Sequence, residues 1–366
     1  MAVDATPLLD VRTGVGTFVA EVLARLGSRP ELDVVAYGLT RIYLDELRSR
    51  LPAGLTSTAR PIPRRTMLEL WRRFDFPVIE RWTGALNVVH GTNFVVPPAR
   101  GAVELVSVHD LTAVRFPEMC DSETVHYPTF IRRAVSRGAH VHTVSHFVAD
   151  EVVQAFDVAP DRVHTVHNGV ATLAGGNAAR GRALSGRDRY VLAIGTIEPR
   201  KNLALLVEAF DVVAADDSDI GLVVAGRRGW HMEAFESALG AARSRDRIVL
   251  LGFVPDDQRA DLVAGASVLA YPSTYEGFGL PPLEAMSAGL PVVATSAGAL
   301  PEVLGDAAVL VPADRDELAA ALGRVVGDEA LRTELVGRGR ARAARYSWDR
   351  CADEMAALYL ALTTSS

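Results

Sequence analysis

The chain has little cysteine, no long apolar run and no excess of positive charge, and each shortage removes a class of answer. Of 366 residues only Cys120 and Cys351 are cysteine. They lie far apart and form no metal-binding or redox motif, so a reducing cytoplasm is the expected setting. No stretch reaches the ~18 apolar residues that a membrane span needs, and the N-terminus runs into a strand pattern with no signal peptide expected. A net charge of −7 and a pI near 5.8 argue against nucleic acid as a bulk electrostatic partner. Most of that negative charge falls in the second half of the chain. What is abundant is apolar surface: 49% of the residues are hydrophobic, and the length exceeds the ~250–300 residues at which a single core stops growing. Two domains are expected.

Strand-like apolar runs alternate with helical patterns, the signature of parallel sheets covered by helices on both faces. One series of runs lies at residues 2–5, 33–37, 88–90, 104–108, 141–145 and 163–166; a second lies at 190–195, 221–226, 247–251, 268–271, 291–294 and 308–311. Between them, residues 171–189 are rich in Gly, Ala, Ser and Arg and carry no sustained apolar period, which reads as a linker. The fold class is therefore α/β, with a first domain over residues 1–170 and a second over 190–346.

The most informative segment is Tyr275-Glu276-Gly277-Phe278-Gly279-Leu280-Pro281-Pro282-Leu283-Glu284. It sets two carboxylates eight residues apart across a glycine loop that enters a helix. Pro281 and Pro282 suit the helix's first turn, Gly289 suits its stop, and Glu284 is expected in that first turn. Gly277 and Gly279 let backbone N–H groups approach a ligand at the carboxyl end of the strands, where open α/β sheets bind. After the strand at 190–195 comes Thr196-Ile197-Glu198-Pro199-Arg200-Lys201-Asn202 and then a helix. An Arg-Lys pair in that position matches a diphosphate and the charge that develops as it leaves. Taken alone it reads as a solvated basic pair; beside the two glutamates the functional reading is stronger.

With these motifs the chain resembles the retaining nucleotide-sugar glycosyltransferases of family four, in a mannosyltransferase-like form. The resemblance covers nearly the whole length. It rests on Ile194-Gly195-Thr196-Ile197-Glu198-Pro199-Arg200-Lys201-Asn202 and the block from Glu276 to Glu284. Supporting motifs are Arg12-Thr13-Gly14-Val15-Gly16, Val108-His109-Asp110-Leu111, Thr143-Val144-Ser145-His146-Phe147 and Val166-His167-Asn168-Gly169-Val170. It implies the GT-B fold, two Rossmann-like domains with parallel sheets facing across a cleft. The first would bind acceptor, the second the nucleotide-sugar donor, and residues 347–366 would form a helix packing back on the first. It further implies transfer of a hexose to an acceptor hydroxyl with retention. GDP-mannose is the first donor expected, UDP- or dTDP-sugars the next, and the acceptor is a glycan, a lipid-linked molecule or a small molecule.

Carried over residue by residue, the resemblance assigns Arg200 and Lys201 to the diphosphate, Glu284 to the ribose hydroxyls and Glu276 to the sugar hydroxyls. Gly277, Phe278, Gly279 and Leu280 would help through backbone N–H groups. Gly195 belongs to the same donor loop. Phe253 and Val254 would read the nucleobase. Gly14 and Gly16 would bring N–H groups to the diphosphate from the first domain. His109 would be the active-site histidine, and Asp110 would orient it or contact acceptor. The catalytic set is thus His109, Glu276, Arg200 and Lys201. No nucleophilic carboxylate is evident beneath the anomeric carbon, so a front-face substitution is expected, with the departing phosphate oxygen taking the acceptor's proton. No metal and no cofactor is implied, since Arg200 and Lys201 do the phosphate work of a divalent ion.

Other readings were weighed on the same residues. Gly14-Val15-Gly16-Thr17-Phe18-Val19 lacks the third glycine of a dinucleotide fingerprint, which disfavours an NAD(P) oxidoreductase. His140, His142 and His146 could suggest zinc, but no cysteine or carboxylate completes the set locally. A GT-B nucleotide-sugar epimerase and a catalytically inactive glycosyltransferase-like partner subunit are the alternatives to transfer. Residues 60–82 mix arginines with aromatic side chains in an otherwise acidic protein, so peripheral contact with the inner face of a membrane is an expectation to test. The plainer reading is preferred: a helix burying Leu68 and Trp71, shortened by Pro61 and Pro63, its charge diluted by Glu69 and Asp75.

Overall fold

A computed structural model describes residues 1–9, 13–40, 44–52, 54–59, 63–173 and 175–364. The chain divides into two compact units, one formed by Met1–Gly169 with Trp348–Ser366, the other by Val170–Ser347.

The first unit is built on a seven-stranded sheet in the order β3-β2-β1-β4-β5-β6-β7. The strands are β1 (Ala2–Asp4), β2 (Val35–Gly38), β3 (Thr56–Ala59), β4 (Val88–Gly91), β5 (Val103–Val108), β6 (His140–Thr143) and β7 (Val163–Thr165). All neighbours run parallel. The chain winds outward from β1 in one direction and from β4 in the other, so the switch point lies between β1 and β4. Helix Gly14–Leu26 follows β1; Thr13 caps it, accepting from Gly16 N–H. Its Phe18, Val19, Val22, Leu23 and Leu26 recur at helical spacing and are buried. Each such side chain contributes ~1.5–3 kcal/mol on burial.

The final helix, Trp348–Thr364, belongs to this unit and lies against helix Gly14–Leu26 and β4. Its entry is tight: a Cβ on Gly169 would sit 2.3 Å from the Trp348 backbone nitrogen. Helix Arg64–Arg73 buries Met67, Leu68 and Trp71, as the plainer reading of that segment expects, and Trp71 Nε1 donates to the Pro77 carbonyl at 3.0 Å. Residues 60–62 of the basic segment lie outside the described residues.

The second unit carries a six-stranded sheet in the order β10-β9-β8-β11-β12-β13. Its strands are β8 (Arg189–Ile194), β9 (Ile220–Ala225), β10 (Ile248–Gly252), β11 (Val268–Tyr271), β12 (Val292–Thr295) and β13 (Val309–Val311), again all parallel. Here the switch point lies between β8 and β11, where open α/β sheets leave a crevice at the carboxyl ends. The core joins strand residues Val191, Leu222 and Val224 to Leu206, Phe210 and Leu322 of the covering helices.

Two sequence expectations need correction here. Residues 171–189 are not simply a linker: Ala178–Ser185 is a helix of the second unit, and the boundary between units falls at Gly169 and Val170. This helix buries Gly181 and Ser185 rather than an apolar stripe. It approaches helix Asp256–Gly265 so closely that a Cβ on Gly181 would stand 2.0 Å from the Asp261 carbonyl oxygen. The strand β3 was also absent from the expected series. No helix among the described residues is long and apolar enough to cross a membrane.

Candidate active site

In the second unit, the loops leaving β8 and β11 are held together by their backbones before any side chain is considered. Gly195 N–H donates to Ala225 O at 3.1 Å, and Ile197 N–H to Arg227 O at 2.9 Å, so the loop after β8 runs on beside that after β9. Gly195 has φ +141, and a Cβ on Gly226 would lie 1.7 Å from the Gly195 oxygen, so glycine is required at this approach. Pro199–Lys201 then form one 3-10 turn, closed by Asn202 in the left-handed region. Thr274 N–H donates to Arg200 O at 2.9 Å, tying this turn to the loop after β11.

That backbone brings Glu198, Arg200, Lys201, Tyr271, Ser273 and Glu276 into one cluster. Glu276 Oε2 lies 2.7 Å from an Arg200 Nη, and its Oε1 lies 2.6 Å from Lys201 Nζ. Ser273 Oγ donates to the same Oε1 at 2.7 Å. Arg200 also pairs with Glu198 at 2.8 Å and donates to Tyr275 O at 3.1 Å. Lys201 Nζ donates to Tyr271 Oη at 2.6 Å. Glu276 is only 5% exposed. Burial alone would raise its pKa, but Arg200 and Lys201 outweigh burial and hold it at about 2. Burial holds Lys201 below its ordinary value, against the pull of Glu276. The formal charges of Glu198, Arg200, Lys201 and Glu276 cancel, so the cluster is neutral as a whole.

The glycine loop is pinned from behind. Ala299 N–H donates to Glu276 O at 2.8 Å, and Gly298, at φ +58, lies so near that a Cβ there would be 2.3 Å from the same oxygen. Gly279, at φ +104, caps helix Leu280–Ala288. Pro281 and Pro282 have no N–H, so Leu280 carries the free donor of the helix's opening residues. Phe278 is buried edge-on to Tyr346, with ring centroids 5.5 Å apart. Glu284 is the fifth residue of the helix and thus in its second turn, not the first. Its Oε2 lies 3.0 Å from an Arg259 Nη, a partner the sequence reading did not name. Gly252 ends β10 at φ +71; Phe253 beyond it is 66% exposed and Val254 half-buried.

The first unit presents Gly14, Gly16, His109 and Asp110. Gly16 N–H is already taken by Thr13 Oγ1 at 3.3 Å, so of the two glycines only Gly14 keeps its N–H outside that cap bond. Arg12 of the same motif lies outside the described residues. His109 sits just past β5, with Nε2 2.8 Å from Thr92 O, which fixes Nε2 as the protonated nitrogen of the neutral ring. Burial lowers its pKa, against the Thr92 carbonyl and Asp110. Phe18 and Phe94 meet the imidazole edge-on at 5.6 and 5.7 Å. Phe94 is left-handed at φ 60, a conformation that a non-glycine residue holds only when its surroundings enforce it; its ring stacks on Tyr127 at 4.6 Å. The Asp110 carboxylate accepts from Thr112 N–H at 2.9 Å.

Behind His109 runs a buried chain of neutral groups. Tyr359 Oη lies 2.8 Å from His90 Nδ1, His90 Nε2 lies 2.7 Å from Ser107 Oγ, and Ser107 Oγ lies 2.8 Å from His142 Nδ1. His142 Nε2 ends the chain on Val166 O at 3.2 Å, and that carbonyl, an acceptor only, sets every tautomer back to Tyr359. Burial pushes His90 well down and His142 down to about 3. The three histidines weighed as a zinc set do not converge: His140 lies 2.9 Å from His164, His142 belongs to this chain, and His146 packs edge-on to His167.

Tyr271, Ser273, Gly298 and Arg259 were missed by the sequence reading, since each acquires its role from a partner distant in the chain or from a glycine's closeness to another backbone. One compositional signal was available: Lys201 is the single lysine among 38 lysine and arginine residues.

Comparison with known proteins follows the same division. A family profile described as "Glycosyltransferase Family 4" matches residues 12–172, and one described as "Glycosyl transferases group 1" matches residues 178–342. The O-antigen chain mannosyltransferase B of Escherichia coli is 29% identical over 362 residues, covering 93% of each chain. The MMP alpha-(1->4)-mannosyltransferase of Mycolicibacterium hassiacum is 30% identical over 336 residues, covering 87% of this chain and 79% of its own. Among solved structures, a sucrose-phosphate synthase from Thermosynechococcus elongatus superposes with a TM-score of 0.79 at 21% identity, covering 100% of this chain and 99% of its own.

Proposed function

The chain belongs to glycosyltransferase family 4, with the GT-B fold and mannosyltransferases among its relatives, and from that premise we propose that it transfers mannose from GDP-mannose to an acceptor hydroxyl with retention of configuration. UDP- and dTDP-sugars are the next donors in order. The observation that carries this reading is the buried cluster of Arg200, Lys201 and Glu276 at the switch point between β8 and β11. Two cations beside a helix entrance suit a diphosphate, and two carboxylates suit two sets of hydroxyl donors.

In the proposed complex Arg200 and Lys201 bind the diphosphate and stabilise the charge it gains as the glycosidic bond breaks, so no divalent ion is required. Leu280 N–H and the backbone of Gly277, Phe278 and Gly279 assist. Gly195 lets the phosphates approach its backbone, and Gly14 serves the donor from the first domain. Glu276 accepts from sugar hydroxyls, Glu284 from the ribose, and Phe253 with Val254 flanks the base. His109, kept neutral, contacts the donor sugar through its ring or its carbonyl; Asp110 is assigned to the acceptor side. The acceptor hydroxyl attacks on the face the diphosphate leaves, and the departing phosphate oxygen takes its proton.

A cytoplasmic location with peripheral contact at the inner face of the membrane, through residues 60–82, fits a lipid-linked acceptor. Phe74 and Phe76, 58% and 46% exposed, support that contact. The arginines support it less: Arg72 and Arg73 pair with Glu69, Arg64 with Glu123, and Asp75 with Arg133 and Arg137. Sedimentation with anionic liposomes at low and high salt tests it; absence of binding at low salt removes it.

The experiment for the function is incubation with each sugar nucleotide, with release of nucleoside diphosphate as the readout and anomeric coupling of the product by NMR. Lys201→Ala and Arg200→Ala should each weaken nucleoside diphosphate binding by about tenfold or more while leaving nucleoside binding unchanged. An unchanged ratio of the two affinities, or no turnover of any donor, would refute the assignment.

A further inference from the structure

Glu276 makes more bonds than its proposed role leaves room for. Its Oε2 is held by Arg200, while Lys201 and Ser273 bond its Oε1. Sugar hydroxyls cannot displace two ammonium-type partners from a buried carboxylate unaided, because an uncharged donor gives up the charge-assisted part of the bond. A diphosphate can, since it offers Arg200 and Lys201 a replacement counter-charge. Once those cations turn to phosphate, the carboxylate keeps its place through Ser273.

Resting on the proposed function, we propose that Ser273 is a positioning residue that holds Glu276 for the donor sugar after the diphosphate has drawn Arg200 and Lys201 away. Tyr271 ends β11 and is 2% exposed; Ser273, two residues on, is 1% exposed. Ser273 lies on the loop that carries Glu276 and reaches it through a short side chain. Tyr271 has a separate part in the exchange, because its Oη accepts from Lys201 Nζ at 2.6 Å and keeps that ammonium at the crevice when it parts from Glu276. Donor binding is thereby ordered in effect: phosphates seat first, and the sugar finds its carboxylate free and aimed only afterwards. Free sugar has no comparable means of opening the cluster.

The test compares Tyr271→Phe and Ser273→Ala with the wild type in calorimetric titrations of GDP against GDP-mannose, with UDP against UDP-glucose as a second pair, and in steady-state turnover of the donor used. The wild type should bind the sugar nucleotide more tightly than the nucleoside diphosphate. Ser273→Ala should keep nucleoside diphosphate affinity within about twofold, lose roughly tenfold in sugar-nucleotide affinity, and lose kcat as well. Tyr271→Phe, which releases Lys201 instead, should lose affinity for both members of a pair alike. Parallel loss for both members in Ser273→Ala would make Ser273 a support of the fold alone and overturn the inference. So would a Ser273→Ala variant indistinguishable from the wild type. If the wild type itself binds neither pair, the proposed function fails and this inference with it.

Discussion

Toward the carboxyl edge of the first sheet stand three buried imidazoles that burial holds neutral, whereas at that of the second two cations and two carboxylates pair with one another. Both edges lie at a switch point of the same kind of parallel sheet, so the backbone does not account for the contrast. The neutral array fixes shape: its tautomers are set by a carbonyl at one end, and its rings pack against Phe18 and Phe94. The charged array fixes the charge of what may enter, because only a ligand bringing negative charge of its own can take Arg200 and Lys201 without leaving them bare.

The largest effect should come from Glu276→Gln. Removing one partner of a buried ion pair leaves the others uncompensated and destabilises by about 3–5 kcal/mol, so this variant should melt lower as well as lose transfer. Saturating nucleoside diphosphate should raise its melting temperature by more than it raises the wild type's, since phosphate replaces the missing negative charge. The pKa of Glu276 is depressed from 4.5 to about 2, so its stabilisation is complete above about pH 4.5 and is lost as pH falls through 2. The gap between wild type and variant should therefore be level between pH 5 and 7. A gap that narrows toward pH 5 would contradict the pairing.

The first unit should respond to acid in that same window. His90 and His142 have folded values below 6.5; their neutral forms stabilise fully above about pH 6.5, and stability is lost as pH drops below it, by up to ~1.4 kcal/mol per pH unit for each. Three of the four tryptophans, Trp71, Trp82 and Trp348, lie in the first unit, so tryptophan fluorescence during urea unfolding reports mainly on it. His142→Gln should lessen the slope with pH between 6.5 and 5; an unchanged slope would remove His142 as a cause.

A smaller effect is expected from Glu284→Gln, because Arg259, left without it, still has Asp256 at 3.3 Å. Nucleoside affinity should fall by roughly tenfold with little change in melting temperature. A loss of stability matching that of Glu276→Gln would show that the two carboxylates do not differ as described.

The sheets were legible because their strands are apolar runs between turn residues, and the candidate site because Arg200, Lys201 and Glu276 stand in loops past strand ends where chemistry collects, with Glu284 in the helix beyond. What escaped has physical reasons. The strand β3 is Thr-Ser-Thr-Ala at a sheet edge, with no apolar run to mark it. Helix Ala178–Ser185 packs through small residues, which leaves it no hydrophobic stripe. Gly298 matters because of a backbone 22 residues earlier, and Tyr271 because of Lys201 70 residues earlier; local pattern carries neither. Gly16 was expected to offer its N–H to a ligand, and the Thr13 cap uses it instead.

Because Lys201 is the only lysine, a sample grown with 13C-labelled lysine gives one side-chain Cε signal from the whole protein. Titrating it with GDP and with UDP, and in parallel with guanosine and uridine, asks directly whether the cluster of the second unit is a diphosphate site. The signal should move with at least one nucleoside diphosphate, saturate with its affinity, and stay in place with the corresponding nucleoside. A signal unmoved by either diphosphate, or moved equally by the nucleosides, would contradict the account.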